Sequence, residues 1–210
     1  MYFTLDELKQ KFQVPLPGLS SQVKMRAPVQ KAAELSVMKD PQLQAKNSAV
    51  LILLFPEDGN LKTVFIKRSE YDGVHSGQIA FPGGKHEKTD NGFKATALRE
   101  TNEEIGIEQD KIEIIGQLTD LFIRPSNFLV KVFVGFSPIK LNYVPDEKEV
   151  QSVVEVDLEK FYNPNIISEK DFFFTSRKII IKAPCYTING IEIWGATAMI
   201  VSELLDVLKN

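Results

Sequence analysis

An α/β fold, an α/β/α sandwich around a mixed β-sheet, is predicted from three features of the sequence. Two β-prone runs, AVLILLFP from Ala49 and LKTVFIKR from Leu61, flank a short polar connection from Pro56 to Asn60. A helix-like segment closed by Gly106 carries Arg99, Glu100, Glu103 and Glu104. The C-terminal ATAMIVSELLDVLK has the apolar period of a helix that packs on a sheet.

The 210 residues, 43% of them hydrophobic, are enough for one substantial core. We expect residues 1–47 to form a helical extension packed on a single domain at 48–210. In that extension Leu5–Phe12 and Val29–Met38 are helix-compatible and are separated by PLPGLSSQVKMRAP, a connection punctuated by proline and glycine. The run from Ala49 reads as a central strand and pairs as a hairpin with the run from Leu61. Gly77–Phe81 adds a short strand before Pro82, Gly83 and Gly84 turn the chain. Asp90 or Asn91 is the expected N-cap of the acidic helix, and Gly106 its terminator. Strands follow at Ile112–Leu118 and Leu129–Phe136 with the loop TDLFIRPSN between them, then at Gln151–Val156 after the exposed acidic turn PDEKEV. Leu158–Ile180 mixes aromatics with charges and gives no clear period. Asn189-Gly190 is a two-residue hairpin signal ahead of the last helix.

A formal charge of -3 leaves no broad basic field, so nucleic acid is not an expected partner. Cys185 is the only cysteine, which excludes an internal disulfide and a cysteine-rich zinc site and fits a reducing cytoplasm. The N-terminal MYFTLDELKQKF lacks the apolar core of a signal peptide, and the run from Ala49 is too short to span a bilayer. We therefore expect no membrane partner.

At helical spacing Glu100, Glu103 and Glu104 cluster on one side, while Leu98, Thr101 and Ile105 point to a core. The like-charged Glu100 and Glu104 weaken an isolated helix by roughly 0.2–0.5 kcal/mol. A hard divalent cation, Mg2+ or Mn2+, compensates such a cluster, so all three acids are candidate metal ligands. Arg99 stands four residues before Glu103 and can brace it through its planar fork.

Gly84, Arg99, Glu100, Glu103, Glu104 and Gly106 resemble the signature box of the Nudix hydrolases. Two departures stand out. Fourteen residues separate Gly84 from Arg99, one more than the family pattern, leaving Glu87 and Asp90 as candidates for its first acid, and Thr101 fills an aliphatic slot. The adjoining Arg68, Ser69, His75, Gly77, Gln78 and the Phe81-Pro82-Gly83-Gly84 run resemble the coenzyme A diphosphatase branch, as does Trp194-Gly195-Ala196-Thr197. Gly73 stands where that branch often has a basic residue, so the phosphate contact the resemblance implies there is either missing or supplied by Lys67, Arg68 or Lys131.

The resemblance implies metal-dependent hydrolysis of the diphosphate of coenzyme A or an acyl-CoA, giving 4'-phosphopantetheine or its acyl form and adenosine 3',5'-bisphosphate. ADP-ribose, a dinucleotide or a nucleotide sugar is the alternative substrate, and a non-catalytic nucleotide-binding regulator the alternative of another class. A homodimer is compatible with either. The implied catalytic set is Arg99, Glu100, Glu103, Glu104 and Glu149, with Glu147 as a second late-loop candidate for the base. The implied substrate contacts are Arg68, His75, Gln78, Gly84, Ser126 and Phe128. His86 reads as a solvent-facing loop residue, Cys185 as a buried small side chain, and Phe172–Phe174 as core, interface or cover for a substrate arm.

Overall fold

In the computed structural model residues 3–28, 45–69, 77–139, 141–174 and 179–209 are described. His75, Gly73 and the expected helix at Val29–Met38 lie outside them. The expected sandwich is found. Strand β1 (Lys46–Glu57) lies at its centre, antiparallel to β2 (Asn60–Arg68) on one edge and parallel to β7 (Phe128–Phe136) on the other. Buried side chains alternate along β1, as a strand covered on both faces requires. Leu51, Leu53 and Phe55 join a core with Ala97, Leu98 and Ile105 of helix α3 (Phe93–Ile105). Ile52 and Leu54 join the opposite core with Ala198, Val201 and Leu204 of helix α4 (Gly195–Lys209).

The hairpin between β1 and β2 is tighter than the sequence suggests. Pro56 and Glu57 stay in the strand, and Asp58 and Gly59 make the whole loop with φ of 51° and 76°. Both central residues are left-handed, which matches the twist of paired strands. Asn189 and Gly190 repeat the device, with φ of 50° and 80°, between β10 (Ile179–Ile188) and β11 (Ile191–Trp194).

Beyond the hairpin β1 and β2 part, and two short strands fill the gap. β3 (Ile79–Ala80) pairs with β2 at Ile66 and Lys67, and β4 (Gly83–Lys85) pairs with β1 at Ser48, Ala49 and Val50. The expected glycine turn is therefore a strand. Gly83 has φ of 150°, and a Cβ there would lie 2.4 Å from the Ala49 carbonyl oxygen and 2.6 Å from Val50 Cα. Only glycine lets the two backbones approach so closely.

β5 (Glu113–Gln117) and β7 fall where expected, but the intervening loop contains a further strand, β6 (Leu121–Ile123), antiparallel to β7. A turn at Arg124–Asn127, with Asn127 at φ 56°, returns the chain. β8 (Val150–Asp157) pairs with β2. The unclear stretch from Leu158 makes two 3-10 turns and then β9 (Ile167–Phe174), the edge of a separate sheet ordered β11-β10-β9. Among the described residues no helix is long and apolar enough to cross a membrane.

Helix α1 (Leu5–Lys11) and the short α2 (Leu19–Gln22) lie against the α4 face. Leu8 and Met25 are buried in its core. Gln22 Nε2 donates to Glu203 Oε2 of α4 at 2.8 Å and to the Thr119 carbonyl at 3.2 Å, so a buried carboxylate ties this segment to the domain. Phe12 packs on Gly116 of β5, where a Cβ would stand 2.3 Å from the ring. Gly116→Ala should overpack this contact and cost about 1–3 kcal/mol, lowering Tm by about 2–10 °C. Phe12→Ala should recover part of that loss in the double variant. Additive losses in the cycle would show that the ring does not press on this position.

Candidate active site

Helix α3 presents the acids, and its start differs from the expected one. Gly92, with φ 82°, occupies the N-cap position and makes no side-chain cap. Asp90 serves another purpose. Its buried carboxylate accepts from Glu87 N at 2.9 Å, Thr96 Oγ1 at 2.8 Å and Arg99 Nε at 2.8 Å. The Arg99 guanidinium, foremost, holds it well below the usual carboxylate range. His86 is not simply solvent-facing. Its Nδ1 lies 2.8 Å from Thr96 Oγ1 and its ring packs on Phe93.

Arg99 is thus fixed by the loop that precedes its helix, and its remaining donors reach the acids. Nη1 lies 2.8 Å from Glu103 and 3.0 Å from Glu100, and Nη2 donates to the Lys85 carbonyl. The expected brace on Glu103 is present. Thr101, in the slot where an aliphatic residue was expected, is fully buried and donates its hydroxyl to the Ala97 carbonyl at 2.7 Å. That bond to the preceding turn satisfies the one polar atom that would make a buried threonine costly.

Glu104 points inward and is 2% exposed. Gly83 N donates to its Oε2 at 2.8 Å, and Arg68 Nη1 reaches Oε1 at 3.3 Å from the end of β2. Burial nevertheless dominates and raises its pKa from 4.5 to about 7, with Glu100 and Glu149 adding repulsion. Burial raises Glu100 as well, against the opposing pull of Arg99. A Cβ on Gly84 would stand 2.3–2.5 Å from the Glu100 carboxylate, so glycine is required for that group to lie over β4.

The acidic turn after β7 is exposed, yet it is built onto the end of α3. Val144 N donates to the Ile105 carbonyl and Asp146 N to the Glu104 carbonyl. Gly106, left-handed at φ 73°, leaves the space: a Cβ would fall 2.7 Å from Val144 Cβ. Glu149 N then donates to the Asp146 carbonyl, while Ser69 N donates to that of Glu149. Glu149 is thereby brought beside the box acids. Glu147 is exposed and stays outside.

These elements enclose a cavity of about 450 Å3. Of the expected residues, Arg68, Gln78, Gly84, Glu100, Glu104, Ser126, Phe128 and Glu149 line it. Arg99 and Glu103 do not; Glu103, with its side chain 56% exposed, faces Arg99 instead. Lys67 and Lys131 are also absent from the lining, and Lys131 pairs with Asp120. Ile79, Ile123, Pro125, Trp194 and Thr197 complete an apolar wall that the expected set omitted. Its one signal in the sequence was the Trp194–Thr197 resemblance.

Among the described residues no three His, Cys, Asp or Glu side chains stand ready to hold a metal ion, and Glu103, held with Glu100 on Arg99, does not line the cavity. The charge balance still fits a hard cation. Glu100, Glu104 and Glu149 face the cavity against Arg68 and Lys85, and oxygen donors of this kind suit Mg2+ or Mn2+.

A NUDIX domain model matches residues 45–180. The uncharacterized Nudix hydrolase NudL of Enterobacter sp. (strain 638) is 32% identical over 203 residues, covering 96% of this chain and 93% of that protein. The peroxisomal coenzyme A diphosphatase NUDT7 of Mus musculus is 31% identical over 66% of this chain and 58% of its own length. The chain spans 58–61% of the plant and mouse relatives it matches. The solved NUDIX domain of Shewanella oneidensis NrtR, complexed with ADP ribose, shares the fold at a TM-score of 0.54 and 14% identity, over 84% of this chain and 97% of that one. On the domain match and the near full-length likeness to NudL, this chain belongs to the Nudix hydrolase family.

Proposed function

We propose that the chain hydrolyses the diphosphate bond of a nucleoside-diphosphate-linked small molecule, using Mg2+ or Mn2+ held by Glu100 and Glu104. The observation that carries this reading is the buried Glu104 carboxylate, set beside Glu100, Glu149 and Arg68 in one cavity. A cavity with three carboxylates repels an anionic diphosphate. Glu100 and Glu104 would hold a divalent cation that makes the two compatible, and such a cation would supply Lewis-acid polarisation of the phosphoryl group and a more acidic water.

The chain's own groups supply the rest. Water adds to one phosphorus, the bridging P–O bond breaks, and the departing phosphate leaves as an anion. Glu149, placed by the turn on α3, accepts the proton of the attacking water. Arg68 has a buried Nε with no partner among the described residues, a donor for a phosphoryl oxygen. Arg99 positions Glu100 from outside the cavity, fixed in turn by Asp90.

Two substrates compete for this reading. Coenzyme A is supported by the upstream motif and by the mouse relative, though that likeness spans only 58% of the relative. ADP-ribose, a dinucleotide or a nucleotide sugar stands at least level, since a NUDIX domain of the same fold was crystallised with ADP ribose. Equal concentrations of coenzyme A, ADP-ribose, NADH and a nucleotide sugar with Mg2+ or Mn2+, followed by mass spectrometry, separate them. We expect one diphosphate to be cleaved preferentially; an intact panel with folded protein would overturn the assignment.

Glu104→Gln should lower kcat by about a hundredfold or more with a native circular-dichroism spectrum, and Glu149→Gln by about 100- to 10,000-fold. Turnover like wild type in either would remove that residue from its role. Glu104 also sets a pH dependence. Its folded pKa of about 7 lies above the ordinary 4.5, so it contributes stability below 4.5 that is lost as pH rises through 7. Metal-free protein should therefore lose on the order of 3 kcal/mol from this group across that window. Glu104→Gln should flatten the slope, and Mg2+ should raise Tm at alkaline pH in wild type more than in the variant. Identical slopes would show that Glu104 is not the group responsible.

A further inference from the structure

The cavity that holds the acids is also lined by Trp194, the only tryptophan of the chain. Three contacts fix its place. Cys185 is its partner in the β10–β11 ladder. Gly195, at φ 62°, turns the chain at once into α4, whose first turn is pinned to β3 by Thr197 Oγ1 donating to the Ile79 carbonyl at 2.9 Å. Phe172 reaches over from β9 and stacks on the indole with ring centroids 4.2 Å apart and planes 9° from parallel. An indole held this way loses little freedom when a ligand packs on it.

The neighbours decide what kind of ligand fits. Ile123, Pro125 and Phe128 make the surroundings apolar, which an alkyl chain and a flat heterocycle satisfy equally. Ser126 separates them. Its hydroxyl is buried at the cavity and has no hydrogen-bond partner among the described residues. An alkyl arm would leave that group unsatisfied, whereas a ring edge bearing nitrogen acceptors or an amino group gives it a partner. Gln78 adds an amide side chain to the same lining.

On the reading of a nucleoside-diphosphate-linked substrate, we infer that Trp194 is the platform on which the nucleobase stacks, with Phe172 as the positioning residue behind it and Ser126 reading the ring edge. The base then lies at the apolar end, the diphosphate spans the cavity, and the second arm of the substrate leaves past the acids. Trp194 is therefore a specificity-determining residue for the base rather than for an alkyl or acyl chain, and titration of its emission separates the base from a pantetheine arm.

The single tryptophan makes the test direct. Its emission is titrated in metal-free wild-type protein with AMP, with ribose 5-phosphate and with 4'-phosphopantetheine. Saturable quenching by AMP, with ribose 5-phosphate at the same concentration leaving the emission unchanged, is expected. Equal responses to AMP and ribose 5-phosphate, a response to 4'-phosphopantetheine alone, or no response at all would overturn the platform. In turnover of the panel substrate, Trp194→Leu keeps apolar volume but removes the extended ring, and should raise KM by about tenfold or more with kcat within about threefold. Trp194→Phe should restore most of that loss. A Leu variant with wild-type KM would also overturn the proposal. Turnover with a silent AMP titration would reject the platform alone, while absence of turnover across the panel would reject the hydrolase reading and leave the fluorescence result standing by itself.

Discussion

The hydrogen bond from Gly83 N to the Glu104 carboxylate is the contact on which the site depends. Enclosing a carboxylate costs several kcal/mol unless donors meet it. Here one donor comes from a strand wedged between β1 and β2, and another from Arg68 at the end of β2. The bond brings α3 against β4 and forces two glycines in succession: Gly83, because its backbone touches β1, and Gly84, because Glu100 occupies the space of a side chain. At the other end of the same residue, the Glu104 carbonyl accepts from Asp146 and so anchors the turn that carries Glu149. Three segments far apart in sequence are held by one residue.

Much of this was legible from local pattern. The continuous apolar run of β1, the hairpin signal at Asn189-Gly190 and the apolar period of α4 are short-range signals that tertiary packing reinforced, and the first hairpin was legible though not the extent of its turn. The box helix was equally clear, because Leu98, Thr101 and Ile105 mark its core face. Where local chemistry and long-range contact disagree, local reading fails. Pro82-Gly83-Gly84 has the composition of a turn, yet pairing with β1 makes it a strand. Asp90 has the chemistry of a cap, yet Arg99 from the next two turns of helix claims it. The strand hidden in the loop before β7 needs its partner to be seen, since Leu121–Ile123 is too short to show a period.

The site was legible in its residue types but not in its directions. Spacing puts Glu100, Glu103 and Glu104 on one side of a helix, but that side spans from the sheet to solvent. Glu104 falls at the buried margin and Glu103 at the exposed one, where Arg99 takes it. The long loop between Gly84 and Arg99 also has a physical account. Within it Asp90 folds back onto Thr96 and Arg99, so the loop is anchored by an ion pair to the helix that follows it.

The cavity lining comes from different parts of the chain that carry different chemistry. Helix α3 and the turn at Glu149 supply carboxylates; the β6–β7 turn, β11 and the start of α4 supply mostly apolar side chains. An unpaired phosphate is poorly placed among aliphatic side chains, and an apolar group gains nothing beside carboxylates, so on the proposed reading the cation-bound acids take the phosphates and the apolar lining takes the rest. A linear molecule with a charged middle and one flat, weakly polar end therefore has one favourable orientation along this cavity. The phosphoryl group beside Glu104 and Glu149 is then selected by where the other end of the molecule is buried. In this arrangement recognition at the apolar wall and the choice of the bond to be broken are set by the same geometry.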